Sequence, residues 1–277
     1  MKFITWRSHS QALGELLGIL SRHRQLTWSM TRREITDRYA GQFLGSLWAI
    51  GHPLVLMAVY VWVFTVVFKT RIGGTYELPR DYTAYLLSGL IPWMAFQEAM
   101  SKGTVVISTH ANLVKQVVFP IEILPVKGIL ASMLTQVVAS VLLLLYLACT
   151  ESGLPWTICL LPVLWVVQFL AMTGTCYILA AVGPYFRDVK DLVQVFCLVG
   201  MYFMPIFYLP AWVPETVRPF LYFNPFSYLA WCYQDCLYFG RFDHPWAWLV
   251  FALGSFVLSY TGYRVFRRLK PCFGSVL

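Results

Sequence analysis

The sequence predicts an all-α polytopic membrane protein: six transmembrane helices, an amphipathic interfacial helix ahead of them, a short helix on one inner connection and short re-entrant helices on the outer side. Three observations carry this. Hydrophobic residues fill 58% of the 277 positions and charged residues only 12%, with a mean hydropathy of +0.63, far from the composition of a soluble domain. Apolar runs of about 20 residues, the length a helix needs to cross a bilayer, recur along the chain. Lys and Arg gather in alternate connections, as the positive-inside rule requires. Six spans with short connections use nearly the whole length, so residues 1–277 read as one transmembrane domain without a separate soluble one.

Residues 1–46 form the inner N-terminal part. Leu13, Leu16, Leu17 and Leu20 recur at helical spacing ahead of Arg22, Arg24, Arg32, Arg33 and Arg38, the pattern of a helix lying on an anionic leaflet. Glu15 and Arg22 leave only six residues between charges, too few for a signal-peptide core, so the N-terminus is expected to stay. The first span is about Leu47–Phe68, followed by an outer connection carrying Lys69, Arg71 and Arg80. The second is about Tyr82–Ser101, interrupted by Gly89 and Pro92, with Glu98 near its inner end. Next comes Thr109–Pro125, too short and too polar to cross. Leu113, Val114, Val117 and Val118 share one side of a helix there and Asn112, Lys115 and Gln116 another, which suits an elbow at a surface.

The third span is about Ile123–Thr150, where Lys127 can snorkel, and residues 151–155 turn the chain into the fourth, about Trp156–Gly183. Residues 184–191 make a short charged inner loop before the fifth span, about Leu192–Leu209. Residues 210–245 are Pro-rich and aromatic and are expected at the outer interface or dipping back into it. The sixth span is about Trp246–Tyr263, so the spans occupy 47–263, and 264–277 is a basic tail with Arg264, Arg267, Arg268 and Lys270. In this topology 16 of the 21 Lys and Arg lie inside, which puts both termini in the cytoplasm.

The net charge of +8 is read as inner-leaflet charge and not as a nucleic-acid surface. Cys149, Cys159, Cys176 and Cys197 sit in apolar runs as small hydrophobes, and Cys232 and Cys236 are one helical turn apart, which favours neighbours over a bridge. Neither a metal site nor a catalytic constellation is indicated, and the chain has no GxxxxGK[ST] phosphate loop, so any ATP hydrolysis belongs to another subunit. Glu98 is the one carboxylate inside a predicted span, either a group on a pathway or an inner-end interfacial residue. Aromatic residues make up 17%, more than interfacial belts need. Their flat faces suit sugar C–H groups, and Tyr60, Phe64, Phe196, Tyr202 and Phe203 are the candidate pore-lining positions; lipid-facing or core packing is the other reading of each. A membrane-embedded lipid- or glycan-modifying enzyme, or a proton-coupled transporter, would need ionisable groups at depth, for which only Glu98 qualifies.

Several stretches together resemble a known family. Arg-Arg-Glu-Ile-Thr-Asp-Arg-Tyr (32–39), Leu-Gly-Ser-Leu-Trp (44–48) and Pro53 resemble the approach to the first span of polysaccharide-export ABC permeases. Asn-Leu-Val-Lys (112–115) with Phe-Pro-Ile-Glu-Ile-Leu-Pro (119–125) is similar to their coupling loop, Tyr-Phe-Arg-Asp-Val-Lys-Asp (185–191) to their second inner loop, and Asn224-Pro225 to their outer re-entrant region. Ala40, Ile121 and Gln234 depart from frequent basic residues of the family. Arg-Arg-Leu-Lys-Pro (267–271) is most similar to the O-antigen exporters.

The resemblance implies the membrane subunit of an ATP-driven exporter in the bacterial inner membrane, moving a lipid-linked polysaccharide outward. It implies a second copy of the chain and two ATP-binding-cassette subunits, which use ATP and Mg; this chain itself holds no cofactor. Asn112, Leu113, Val114, Lys115, Glu122, Arg187 and Asp188 would couple to the ATPase. Arg33, Arg38 and Glu98 would meet the lipid headgroup at the entrance, residues 210–235 would gate the outer side, and membrane lipids surround the whole.

Overall fold

The computed structural model describes residues 11–67, 80–116, 119–150 and 154–276. Among these residues the fold is helical without strands. Most of the predicted outer connection (68–79), Val117, Val118 and most of the turn at 151–155 lie outside the described residues, as do the side chains of Leu13, Leu16 and Leu17.

The chain opens with two helices, α1 (Gln11–Arg22) and α2 (Arg24–Tyr39). Among the described residues three helices are long and apolar enough to cross a membrane: α6 (Ile123–Thr150), α7 (Leu161–Val182, extended upstream by a 3-10 turn from Trp156) and α11 (Pro245–Leu269). The shorter apolar helix α3 (Trp48–Trp62) continues as a π-helical turn, Val63–Val67. Helix α4 (Tyr82–Thr109) runs through the middle, packing on α6, α7, α8 (Val189–Gly200) and α10 (Pro225–Gln234). A short α5 (Ala111–Gln116) follows it, as the amphipathic pattern of the elbow predicts.

Backbones approach most closely between α7 and α11. A Cβ on Gly174 would run into the backbone carbonyl of Leu258, and one on Gly262 into the Gly174 oxygen. Without a hydrophobic force between helices in lipid, such contact is how they hold. Gly183 plays the same part against α4, where a Cβ would collide with the Thr104 oxygen.

Three boundaries differ from the sequence expectation. Helix α4 is not interrupted at Gly89 and Pro92 and does not end at Ser101; it continues to Thr109 because Gly103, Thr104, Val106 and Ile107 are buried. The last long helix, α11, likewise outruns its expected end at Tyr263 and reaches Leu269, since Phe266 is fully buried. The fifth span is shorter than Leu192–Leu209. Helix α8 and one 3-10 turn end at Phe203, a rise of about 24 Å, below the roughly 30 Å of a hydrocarbon core.

The chain then leaves the helix, and its carbonyls are taken up by side chains of neighbouring elements. Tyr82 Oη donates to Phe207 O, Tyr85 Oη to Pro205 O (2.9 Å) and Tyr208 O (3.1 Å), and Gln234 Nε2 to Pro205 O (2.7 Å). After α9 (Arg218–Phe223), Asn224 caps α10: its side chain accepts from Phe226 N at 3.0 Å and Pro225 takes the first helical position. Helix α10 is no surface element. Trp231, Tyr233, Gln234 and Asp235 are fully buried, and the free thiols of Cys232 and Cys236 are buried beside them.

Gly174→Ala is expected to lower the melting point of the detergent-solubilised protein by the equivalent of about 1 to 3 kcal/mol through overpacking. Gly254→Ala, inside α11 with nothing within 4 Å, is expected to hold it or raise it slightly. A thermal-shift assay on the two variants checks this.

Candidate functional site

Helices α2, α3, α4 and α6 line an open-sided cavity of about 850 Å³. Met57 and Tyr60 of α3 with Leu87 and Leu90 of α4 form its apolar part, Ser132, Thr135 and Gln136 of α6 a polar wall, and Arg38, Glu98 and Lys102 its charged mouth. Gln136 is tied behind the wall: it donates to Gln168 Oε1 at 2.8 Å and to Tyr233 Oη at 3.0 Å, while Gln168 Nε2 donates to Pro92 O at 3.1 Å. The wall of the cavity is thus bonded to α7 and α10, and through Gln168 to α4.

At the mouth an ion chain joins three helices. Arg38 meets Glu98 at 2.9 Å, Glu98 meets Lys102 at 3.1 Å, Lys102 meets Glu34 at 3.2 Å and Glu34 meets Lys127 at 2.9 Å. Lys127 Nζ then lies 3.0 Å from His110 Nε2, and His110 Nδ1 lies 2.8 Å from Val106 O. A carbonyl only accepts, so Nδ1 carries the proton and Nε2 is free to accept from Lys127. The electrostatics agree: burial, and the Lys127 charge after it, lower the His110 pKa below 6.5 against the raising effect of Val106 O and Glu34, so the ring is neutral at pH 7. Burial alone would raise the Glu34 carboxyl, but bonds and charge from Lys127 and Lys102 outweigh it and hold the group below its usual range. For Arg38 burial works against the charge and the Glu98 carboxylate more than offsets it, raising the pKa.

The chain of ions ends at His110, the residue on which α4 turns into α5. On the elbow Asn112 and Lys115 stand at the surface with Leu113 and Val114 beside them, and Val114 packs against the cluster around Tyr177 and Phe266. Arg187 and Asp188 are exposed on the connection between α7 and α8. Glu122 is placed differently from an outward-facing contact: it is 5% exposed, and its carboxylate holds Lys270 at 2.7 Å. Arg38 and Glu98 are brought together, but Arg33 points away and pairs with Asp37 at 3.3 Å.

The five candidate pore aromatics separate. Tyr60 lines the cavity, whereas Phe196, Tyr202 and Phe203 lie exposed along α8 and its last turn, outside it, with Tyr202 stacked on Phe207 at 5.5 Å between centroids. Phe64 falls on the π-helical turn, and its side chain lies outside the described residues. Sequence reasoning passed over Glu34, Lys102, His110 and Gln136, and gave Lys127 only a snorkelling role. The available signal was the i, i+4 pair Glu98–Lys102 on a helix entering the membrane; the pairing with α2 and α6 needs the fold.

The model of the ABC-2 type transporter family matches residues 25–238, from α2 through α10 into the π-helical turn after it, a run that includes the cavity, the ion chain and the elbow. The chain belongs to that family. Among curated relatives of this ABC-2 type transporter subunit, the O-antigen export system permease protein RfbA of Myxococcus xanthus is 31% identical over 92% of this chain and 96% of its own length. RfbA of Klebsiella pneumoniae is 24% identical over 90% and 93%, and the polysialic acid transport protein KpsM of Escherichia coli 21% over 85% and 90%. The ABC-2 family assignment makes this chain the membrane subunit of an ABC transporter, the part that works with ATP-binding-cassette subunits.

Because Glu34 has a folded pKa below its ordinary 4.5, its stabilising effect is fully present above that value and is lost as pH falls through the folded pKa. Hydrogen exchange over α2, corrected for intrinsic rate, is expected to accelerate on acidification from about pH 6 to about pH 3. Glu34→Gln should exchange fast throughout and lose most of that response.

Proposed function

We propose that this chain carries a lipid-linked, O-antigen-like polysaccharide from the cytoplasmic to the outer side of the bacterial inner membrane. Two copies form the pathway, and two ATP-binding-cassette subunits, using ATP and Mg²⁺, drive it. The observation that carries this reading is the cavity: a charged mouth leading to an apolar shaft matches an amphipathic molecule with an anionic head and a hydrocarbon tail. The relatives' printed functions, O-antigen export and polysialic acid transport, supply the substrate class.

In this reading α3, α4, α6, α7, α8 and α11 are the six spans, and both termini are cytoplasmic, as 16 of 21 Lys and Arg then lie inside. We place the second copy of the chain across α3 and α8, where Leu54, Trp62, Val195 and Phe203 are exposed. Phe196, Tyr202 and Phe203 would then lie along the path between the copies, with residues 210–235 near its outer end. Arg38 and Glu98 receive the headgroup, and Arg33, exposed just over one turn earlier on α2, faces the lipid surface outside the mouth. Asn112, Leu113 and Lys115 dock on the ATPase with Arg187 and Asp188 beside them, and Val114 and Glu122 support the elbow from behind.

Docking through an apolar helix face predicts the effect of a charge placed on it. Leu113→Asp should abolish stimulation of the partner's ATPase and reduce recovery of the complex; unchanged values of both would refute the docking assignment. Orientation is tested separately. In a cysteine-free background, Lys115→Cys is expected to react with an impermeant maleimide in inside-out vesicles and to stay unlabelled in intact cells, and outside labelling would invert the topology.

A further inference from the structure

We propose that Arg264–Phe273 is a clasp holding the coupling elbow from behind, with Lys270 and Phe273 as positioning residues for ATP-driven transport. The inference rests on the docking role of α5 proposed above. A basic tail at a membrane surface ordinarily carries solvated charges, but this one is built inward. Lys270 Nζ lies 2.7 Å from Glu122 Oε1, on a carboxylate whose side chain is 7% exposed. The Glu122 backbone oxygen accepts from Tyr177 Oη of α7 at 2.8 Å. One elbow residue is therefore gripped by α7 through its backbone and by the α11 extension through its side chain.

The second grip is apolar. After the turn Lys270–Cys272, the short helix α12 (Phe273–Val276) comes against α5. Phe273 is fully buried, edge-on to Phe266 at 5.4 Å, and Phe266 packs on Tyr177 at 4.9 Å. Val114 of α5, Phe119 and Ile121 of the elbow and Tyr185 of the other inner connection join the same cluster. On its far side Arg267 pairs with Glu15 of α1. The clasp thus binds connections and the N-terminal helix rather than the middle of the spans. Asn112 and Lys115 stand at the surface of α5 while Val114 turns toward the clasp, so the backing joins a force applied at the exposed face to α7 and α11 as well as to α6, which the elbow enters directly.

The test uses the full permease with its ATPase subunits in nanodiscs and proteoliposomes, comparing Glu122→Lys, Lys270→Glu, their combination and Phe273→Ala. Each single change is expected to lower polysaccharide exported per ATP hydrolysed by about tenfold, with the double reversal recovering to within about twofold. Unchanged coupling in the singles, or no recovery in the double together with an unaffected Phe273→Ala, would overturn the clasp. If the reversals fail to accumulate, Glu122→Gln and Lys270→Met replace them, with loss of coupling expected at normal yield and full coupling overturning the proposal. Leu113→Asp runs in parallel. Loss there with intact clasp variants refutes the clasp alone, and no effect of Leu113→Asp refutes the docking reading on which it stands.

Discussion

Every backbone polar group placed in a hydrocarbon environment needs a partner within the protein, and this constraint shapes the chain where it departs from plain helix. The break after Phe203 is the clearest case. Carbonyls freed between Pro205 and Tyr208 are met by Tyr82 and Tyr85 of α4 and by Gln234 of α10, so the end of α8, the start of α4 and α10 cannot move independently. One residue after Gln234, Asp235 is fully buried and accepts from His244 N (3.0 Å) and Trp248 Nε1 (3.1 Å), with His244 Nδ1 also at 3.0 Å. A buried carboxylate without such donors would be strongly destabilising. With them, it fixes the junction between α10 and α11.

The same constraint separates what was legible in the sequence from what was not. Residue type alone reports whether a segment can stay in lipid, which is why α3, α6 and α7 and the elbow fell where hydropathy and amphipathic spacing put them. It does not report where a helix can stop, because stopping depends on donors elsewhere in the chain. The end of α8 at Phe203 is permitted by side chains about 120 residues upstream in α4 and about 30 downstream in α10, and no local pattern contains them. Aromatic density was legible as a count and ambiguous as a location. Tyr85, Trp93, Trp231 and Tyr238 serve the core, Tyr60 the cavity and Tyr202 an exposed face, although all sit in similar sequence surroundings.

For the candidate site, the sequence marked single residues and the fold supplied their company. Glu98 stood out as a carboxylate in a span and Arg38 as one of several basic residues on an interfacial helix. Their contact depends on α2 packing along α6, which brings Glu34 and Arg38 over the C-terminal half of α4 and the N-terminal half of α6. Helix α2 has almost no amphipathic character of its own, yet Thr27 and Thr31 are buried. It is held by ion pairs to α4 and α6 and by the Arg38 bond to the Thr135 hydroxyl in place of an apolar stripe, and hydrophobic periodicity is blind to that.

In the headgroup-entry role proposed above, the composition of the mouth also bears on how a charged substrate would pass it. Arg38, Lys102 and Lys127 face Glu34 and Glu98, and His110 is neutral, so the cluster carries about one net positive charge, spread over three cations already engaged by carboxylates. A set of unpaired cations in so confined a place would hold a phosphate tightly and would itself be costly without ligand. With carboxylates already in place, an arriving anion exchanges one partner for another, and leaving restores the original pairs. The free-energy difference between the empty and occupied mouth is kept small in both directions. Such near-degeneracy suits transit more than storage, since a substrate that must move on cannot be bound deeply at its first contact.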